Sequence, residues 1–519
     1  MILIMSAAYC SSDFELEFGK IPPSFLPLGN KRLYEYQIKL FENLKDKIYL
    51  SLPQSFNINR YDLENINKFN INLLFIPDGL NLGEALIYSI NMISPINETL
   101  YVLHGDAYFN FLEFDVNSLT LTRVKENYNW AYFFEKKISN YFIKNNIRYD
   151  DKLILSGFMS IENPYFLIKC IVEHKYSFIE GLKKYSNKYF FKIFINDSWL
   201  DFGLITNYFH SKKAITSQRC FNELQFCDDG YILKTSSWIK KIKAEINWFE
   251  KFPKELDIYI PKFKYQNDYA YKIEYLYNNT LAELFVFGTL PCYVWENIFK
   301  SLKTFLNRLH KFKKNTKNVF NYNQKTLDRL KLLSTQKEIW QKLNLNKKYY
   351  FENKNPISLQ EILDEINQYL NNANQEYCII HGDFCFSNIM FDFRSGFIKT
   401  FDPRGMDFDE NITIYGDQDY DYAKLIHCVF GMYDFIIANF YSCKIDDDKI
   451  HLEFYTNDEI FKIQDKFLSI FKPNKKIFAI VIHLFLSMLP LHNDDEYRQK
   501  AIFANVFRLY FILKDKGLL

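Results

Sequence analysis

Residues 380–402 hold the densest run of chemistry-bearing side chains: Ile380-His381-Gly382-Asp383-Phe384-Cys385-Phe386-Ser387-Asn388-Ile389-Met390, then Ile398-Lys399-Thr400-Phe401-Asp402. An apolar strand runs into His-Gly-Asp, an Asn follows the Asp at the fifth position, and a second apolar strand ends on another Asp. Phosphoryl transfer asks for this set, because its chemistry is positioning plus neutralisation of charge. One carboxylate orients and deprotonates an attacking hydroxyl, while an Asn and a second Asp hold Mg²⁺ on the phosphates. Asp383, with His381 and Asn388 beside it, is the candidate catalytic group, and Asn388 and Asp402 are the candidate metal ligands.

Two different patterns of elements have to position such residues. Up to about Lys212, short apolar runs alternate with helix-like segments: Met1–Ala8, Lys47–Leu52, Asn72–Ile76 and Thr99–His104 read as strands, Leu33–Leu44 and Leu82–Met92 as helices. That alternation predicts βαβ units and a mostly parallel sheet in a three-layer α/β domain over 1–212. Around Ser211–Ser217 the pattern changes to a hairpin, Phe221–Phe226 and Tyr231–Ser236, joined through a Cys227–Gly230 turn with the Asp-Gly signal. A helix over Trp238–Phe252, closed by Pro253, and strands near Ile258–Tyr265 and Tyr269–Leu276 complete a small lobe to about residue 280. From Leu281 to the end the pattern is mainly helical, with a polar loop at Lys313–Asn323. The second domain is therefore expected over 213–519.

Composition narrows the classes. A chain of 519 residues is too long for one ordinary core. With 64 Lys+Arg against 62 Asp+Glu it lacks the basic footprint of a nucleic-acid binder, and 48% hydrophobic content argues against a disordered chain. Aromatics, 18% of the residues, are scattered rather than clustered into a stacking platform. The nine cysteines are odd in number and form no Cys-x-x-Cys pair, which suits a reducing compartment better than a disulfide framework. The apolar start has no basic n-region and reads as a strand rather than a signal peptide. Ile477–Pro490 comes nearest to a membrane span and is interrupted by His483. A cytoplasmic protein is expected, with no nucleic-acid partner and no membrane insertion; oligomeric state is not legible.

The His-Gly-Asp-x4-Asn run and the downstream Asp402 resemble the catalytic loop of the aminoglycoside phosphotransferase and choline kinase family, over about residues 215–519. The resemblance implies a bilobal, protein-kinase-like α+β domain that uses ATP and Mg²⁺. It also implies cofactor-binding roles for Lys234 on the second hairpin strand, for Glu245 on the helix that follows, and for Tyr275 and Leu276 as the hinge beside adenine. Tyr415-Gly416-Asp417 and Asp421 resemble the segment that opens a helix behind the loop, where Asp417 or Asp421 would anchor it. Protein kinases carry Arg after the His and Phe-Gly after the metal Asp. Here Gly382 and Pro403-Arg404-Gly405 stand there, which favours a small-molecule acceptor. No Gly-x-Gly-x-x-Gly precedes Lys234, so the Cys227–Gly230 hairpin is expected to cover the phosphates. Were the acceptor a cationic aminoglycoside, Asp407, Asp409 and Glu410 would receive it.

The first half resembles the nucleoside-diphosphate-sugar pyrophosphorylases. The matching pieces are Ser6-Ala7-Ala8, Pro22 through Gln37, Leu80-Asn81-Leu82-Gly83-Glu84-Ala85, Val102 through Asp106, and Trp199-Leu200-Asp201-Phe202-Gly203 with Tyr208. This nucleotidyltransferase resemblance implies a Rossmann-like domain with Asp106 and Asp201 on the metal, Gly83 at the nucleotide, and CTP or UTP as donor. Two places depart from the pattern: Tyr9-Cys10-Ser11-Ser12-Asp13 replaces Gly-x-Gly-x-Arg, and Pro22-Pro23 replaces Pro-Lys. Lys20, or Lys31 and Arg32, would have to supply the missing charge. Together the resemblances imply a two-domain enzyme of surface-glycan (capsule or lipopolysaccharide) precursor supply. It would phosphorylate a small alcohol, amino alcohol or sugar and then activate the phosphate with a nucleotide. A kinase with a catalytically degenerate first domain and an antibiotic phosphotransferase are the alternatives.

Overall fold

The computed structural model describes residues 1–123, 132–134, 137–139, 153–215, 222–227, 229–315, 320–341, 343–371 and 375–519. Phe221 and Asp228 of the expected hairpin and residues 316–319 of the expected polar loop lie outside these. The chain divides into two compact units, Met1–Thr216 and Ser217–Leu519.

The first unit is built on a sheet whose centre is the strand Ile2–Met5. It pairs in parallel with Ile48–Pro53 on one side and Leu100–His104 on the other, and Ile71–Ile76 extends the parallel run. Ile2, Leu3 and Ile4 are fully buried. A strand covered on both faces has no reason to alternate, which is why the start of the chain reads as one apolar run. The expected mostly parallel sheet needs correcting beyond Leu100–His104. Leu153–Ile161 pairs with it antiparallel, and Ser118–Arg123 pairs antiparallel with Leu153–Ile161. Antiparallel neighbours need no crossover helix, so the βαβ rhythm stops there. The expected helix Leu33–Leu44 is shorter, ending at Lys39. Leu82–Ile93, Pro164–Glu173 and Phe178–Ser186 bury their apolar faces on one side of the sheet. After Leu100–His104 the chain turns into Ala107–Tyr108, which pairs antiparallel with Leu200–Asp201.

The second unit opens with a four-stranded antiparallel sheet in the order Asn222–Phe226, Tyr231–Ser236, Ala270–Glu274, Phe263–Asn267. Lys234 lies between Leu224 and Tyr271 in this register. The expected strand from Ile258 begins only at Phe263, because Lys254–Tyr259 coils into a 3-10 turn between Pro253 and Pro261. The helix Ile239–Lys251 follows the hairpin.

Beyond residue 281 the unit is mainly helical. The segment Lys475–His492 is long and apolar enough to cross a membrane, with a mean hydropathy of 1.4, but 83% of it is buried inside the unit. Its central His483 meets Thr326 Oγ1 through Nδ1 at 2.9 Å and Asn367 Oδ1 through Nε2 at 3.1 Å. The apolar run therefore has a packing explanation: it is a core helix enclosed by other helices. A second four-stranded sheet, in the order Ile357–Ser358, Lys348–Phe351, Lys449–Phe454, Tyr441–Asp446, was not expected from sequence.

Candidate active site

The strand Tyr377–Ile379 delivers the chain into residues 380–388, and the hairpin Ile389–Phe391 with Ile398–Thr400 returns it to Asp402. The turn is held from behind by Asp421, a fully buried carboxylate on the helix Asp419–Val429. Its two oxygens accept the backbone N–H of His381 at 2.9 Å and of Gly382 at 2.8 Å. Of the two expected anchors, Asp421 holds this loop. Asp417 instead accepts the Tyr322 hydroxyl at 3.0 Å and pairs with Lys476 at 3.0 Å.

His381 is fully buried. Its Nδ1 accepts the Asp383 N–H at 3.3 Å, while Nε2 lies 3.0 Å from the Phe401 carbonyl and 2.8 Å from Thr400 Oγ1. Burial lowers its pKa, and one neutral tautomer, protonated on Nε2, satisfies these contacts. The expectation that His381 is catalytic is corrected by this enclosure. The ring ties the Asp383 turn to the strand that leads to Asp402 and presents no edge to a substrate.

Gly382 has φ +75°, and a Cβ on it would stand 2.8 Å from the Arg404 Cβ, so this position requires glycine on both counts. Asp383 follows with its side chain 39% exposed. Asn388 donates from Nδ2 to the Asp383 carbonyl at 3.0 Å and to its carboxylate at 3.1 Å. Lys424 Nζ stands 2.9 Å from Asp383 Oδ1. Burial would raise the Asp383 pKa, but the Lys424 ammonium outweighs it and holds the carboxyl well below the usual range. Lys424, which sequence analysis gave no role, lies on the Asp421 helix three residues on, so one helical turn carries both the loop anchor and the cation.

A second ion cluster forms across the small sheet. Lys234 Nζ lies 2.9 Å from Glu245 Oε2 and 2.9 Å from Asp402 Oδ1. Lys234 and Glu245 are almost wholly buried, while the Asp402 side chain keeps 26% exposure. Burial disfavours a charged lysine, yet the carboxylates of Asp402 and Glu245 raise its pKa above the ordinary value. Tyr271 donates its hydroxyl to Glu245 Oε2 at 2.7 Å, a partner no sequence motif marked. Asp402 is left-handed, with φ +57°, a conformation Asp tolerates better than most residues. Tyr275 and Leu276 follow the strand Ala270–Glu274, both half-buried, and the Tyr275 N–H donates to the Gly230 carbonyl at 2.9 Å.

In the first unit, Asp106 follows the strand Leu100–His104, the parallel neighbour of Ile2–Met5, and the pairing of Asp201 with Ala107 brings the second carboxylate beside it. A Cβ on Gly203 would lie 2.6 Å from Asp106 Oδ2 and 3.3 Å from Asp201 Oδ1, so the two side chains converge on one glycine. Asp201 is braced by the Gly203 N–H at 3.0 Å and Asn207 Nδ2 at 2.7 Å. Gly83, in the first turn of the helix Leu82–Ile93, meets a packing requirement: a Cβ there would stand 2.2 Å from the Tyr176 carbonyl. Arg32 is not a spare cation either. It is buried and bonded to Asp62, with Nη2 to Oδ2 at 3.0 Å. In place of a glycine-rich phosphate loop the chain forms the helix Ser12–Phe18, with Asp13 and Glu15 in its first turn.

The acids expected to receive a cationic drug are mostly engaged. Asp407 Oδ1 accepts the Asp409 and Asn411 N–H groups at 3.0 and 2.8 Å, and its Oδ2 accepts Asn411 Nδ2 at 3.0 Å. Glu410 pairs with Lys240 at 3.3 Å.

No curated protein matches this chain in sequence. Among solved structures, the nucleoside-diphosphate-sugar pyrophosphorylase of Vibrio cholerae is 12% identical, covering 41% of this chain and 100% of its own, with a TM-score of 0.34. The inositol-1-phosphate CTP transferase of T. maritima is 13% identical, covering 41% and 95%, with a TM-score of 0.32. An aminoglycoside 2'-phosphotransferase in its GDP complex is 13% identical, covering 57% and 90%, with a TM-score of 0.35. The phosphotransferase enzyme family matches residues 257–401, a stretch within the second unit that contains His381, Asp383 and Asn388 and stops one residue before Asp402. The second unit thus contains a region similar to the phosphotransferase enzyme family.

Proposed function

We propose that the second unit transfers the γ-phosphoryl group of ATP to a hydroxyl of a small alcohol, amino alcohol or sugar. The observation that carries this reading is the placement of Lys234 Nζ between Glu245 and Asp402, with Asp383 and Asn388 bonded to each other in the adjoining loop. Lys234 holds the donor phosphates, kept charged and aimed by Glu245. Asp402 and Asn388 offer hard oxygen donors of the kind Mg²⁺ takes, and the described residues include no cage of three or more His, Cys, Asp or Glu. An open set of that kind suits a cation that keeps waters and substrate phosphates as its other ligands. When bound, Mg²⁺ would neutralise charge on the phosphates.

Asp383 stays ionised because of Lys424, accepts the hydrogen bond of the acceptor hydroxyl and aims its oxygen at the γ-phosphorus. As the new O–P bond forms and the bond to the ADP oxygen breaks, the hydroxyl proton passes to the Asp383 carboxylate. His381 keeps the turn in place. Asp383→Asn should retain nucleotide binding and lower acceptor-dependent ADP release by roughly 10²-fold or more. Near-wild-type turnover would overturn the assignment.

A second reading concerns the first unit, and the convergence of Asp106 and Asp201 on Gly203 favours it. Those carboxylates would hold the metal for transfer of a nucleotide from CTP or UTP to the phosphate made by the second unit. Two consecutive steps on one metabolite gain effective concentration from a shared chain, which fits the supply of activated precursors for surface glycans such as capsule or lipopolysaccharide. Phosphate charge there would have to be met by Lys20 or Lys31, both exposed, since Arg32 is committed. Asp106→Asn should stop pyrophosphate release and leave ATP-dependent phosphorylation intact; loss of both together would contradict separate sites.

A further inference from the structure

Around Asp383 the charge is lopsided in a way that the transfer reaction does not require. Lys325 Nζ lies 3.8 Å from the centre of the Phe408 ring and 5.6 Å from that of Tyr420. The Arg404 guanidinium lies 5.1 Å from the same Phe408 ring, and Lys424 Nζ 5.9 Å from the same Tyr420 ring. Two rings thus gather three cations. Arg404 also abuts Gly382, the residue before Asp383. Arg329 stands four residues after Lys325 on the helix Tyr322–Leu333, on the same face.

Among the described residues no carboxylate forms an ion pair with Lys325, Arg329 or Arg404, and the one paired with Lys424 is Asp383 itself. Among the described residues, the Arg404 guanidinium donates to the carbonyls of Met406 at 3.0 Å and Asp407 at 3.3 Å. Asp407, three residues after Arg404, spends its carboxylate on its own turn, Asp402 is paired with Lys234, and Asp328 beside Arg329 accepts Gln324 Nε2 at 2.9 Å. Burial first, then Arg404, Lys424 and Arg329, press the Lys325 pKa below the ordinary lysine value, with the Asp383 carboxylate opposing them. Four cations gathered around the single carboxylate of Asp383 are what an anion-binding site looks like before its ligand arrives.

Resting on the kinase reading, we propose that the acceptor carries an anionic group, a phosphate or a carboxylate, besides the hydroxyl it presents to Asp383. Lys325, Arg329 and Arg404 bind that group, and Phe408 and Tyr420 hold the cations in place. A cationic aminoglycoside or choline would be repelled by the same residues.

The test uses the full chain saturated with a non-hydrolysable ATP analogue and Mg²⁺, so that the nucleotide site is filled. Inorganic phosphate or malonate is then titrated at low-millimolar concentration against chloride of equal ionic strength, following thermal unfolding. Saturable stabilisation is expected, weakened roughly tenfold in apparent affinity by Lys325→Met and by the milder Arg329→Gln, with the nucleotide-induced shift unchanged in both. A response to phosphate but not malonate, or the reverse, identifies which anion the acceptor bears. Nucleotide stabilisation with no anion response, or an anion response that both variants retain, overturns the proposal and leaves the kinase reading standing. Absence of any nucleotide shift in the wild-type protein would defeat the kinase reading and this proposal with it.

Discussion

Trp248 donates its indole N–H to the backbone carbonyl of Ile380 at 2.8 Å, and its ring lies 5.6 Å from that of His381. The helix that carries Glu245 is thereby bonded to the strand end that launches the Asp383 loop. Trp248 is almost wholly buried, so Trp248→Phe would leave a carbonyl without its donor inside the unit, at a cost of about 1–3 kcal/mol. If this bond sets the distance between Lys234 and the loop, the ATP KM should rise together with the loss of thermal stability. A destabilised variant with unchanged KM for ATP would mean that the bond serves stability alone.

Lys234 and Glu245 form a buried pair whose members depend on each other. Removing either one strands a charge in the interior, and Lys234→Met or Glu245→Leu should each destabilise the chain by about 3–5 kcal/mol. The double variant replaces the pair by apolar side chains and should be more stable than the sum of the singles, although Asp402 then loses its cation too. Denaturant unfolding of the four proteins checks this. Strict additivity would show that the two residues do not act as a pair.

Lys424 keeps Asp383 ionised. A carboxylate whose folded pKa is depressed stays charged down through the ordinary Asp range; its stability contribution is full above the unfolded pKa near 4, declines as the unfolded chain takes up its proton below that, and is gone once pH passes its own lower value. In the wild-type protein, therefore, Asp383 should impose no acid limb on kcat between neutrality and the usual Asp pKa near 4. Lys424→Met removes the opposing charge and leaves burial to act, so an acid limb should move up to or above that range. A pH profile of kcat for the two proteins decides it; superimposable profiles would remove Lys424 from the electrostatics of the base.

What could be read from the sequence is what lies close together along it. His381, Gly382, Asp383 and Asn388 occupy one turn and Asp402 ends the adjoining hairpin, so spacing alone reveals a set of residues with a shared chemistry. The apolar rhythm of the first half reveals α/β layering because buried strands and amphipathic helices differ in period. Roles set by tertiary contact were not legible. Lys424 matters through a carboxylate 41 positions away, and the enclosure of His381 depends on Thr400 and Phe401 closing over it. The packing demand for glycine at position 83 was not legible either, because the Tyr176 carbonyl it meets comes from a distant turn. The sheet built on Lys449–Phe454 escaped notice because one of its partners, Lys348–Phe351, lies about a hundred residues upstream and neither strand is long.

Gly405 offers the sharpest check on how the two ion clusters are held together. It follows Asp402 by three residues, has φ +65°, and a Cβ there would stand 2.2 Å from the carbonyl of Ala244, the neighbour of Glu245. Gly405→Ala therefore meets two separate obstacles. The left-handed backbone costs about 1–2 kcal/mol for an L-side chain, and the contact with a backbone atom can be relieved only by moving the loop or the helix. Either movement would pull Asp402 or Glu245 away from Lys234. Gly396 supplies the control, since it has φ +73° and a Cβ there would meet nothing within 4 Å. Gly396→Ala should lower stability by the backbone term alone and leave the ATP KM unchanged, whereas Gly405→Ala should lower stability further and raise that KM several-fold. Equal effects of the two substitutions on nucleotide affinity would show that the approach of Gly405 to Ala244 plays no part in setting the Lys234–Asp402 geometry.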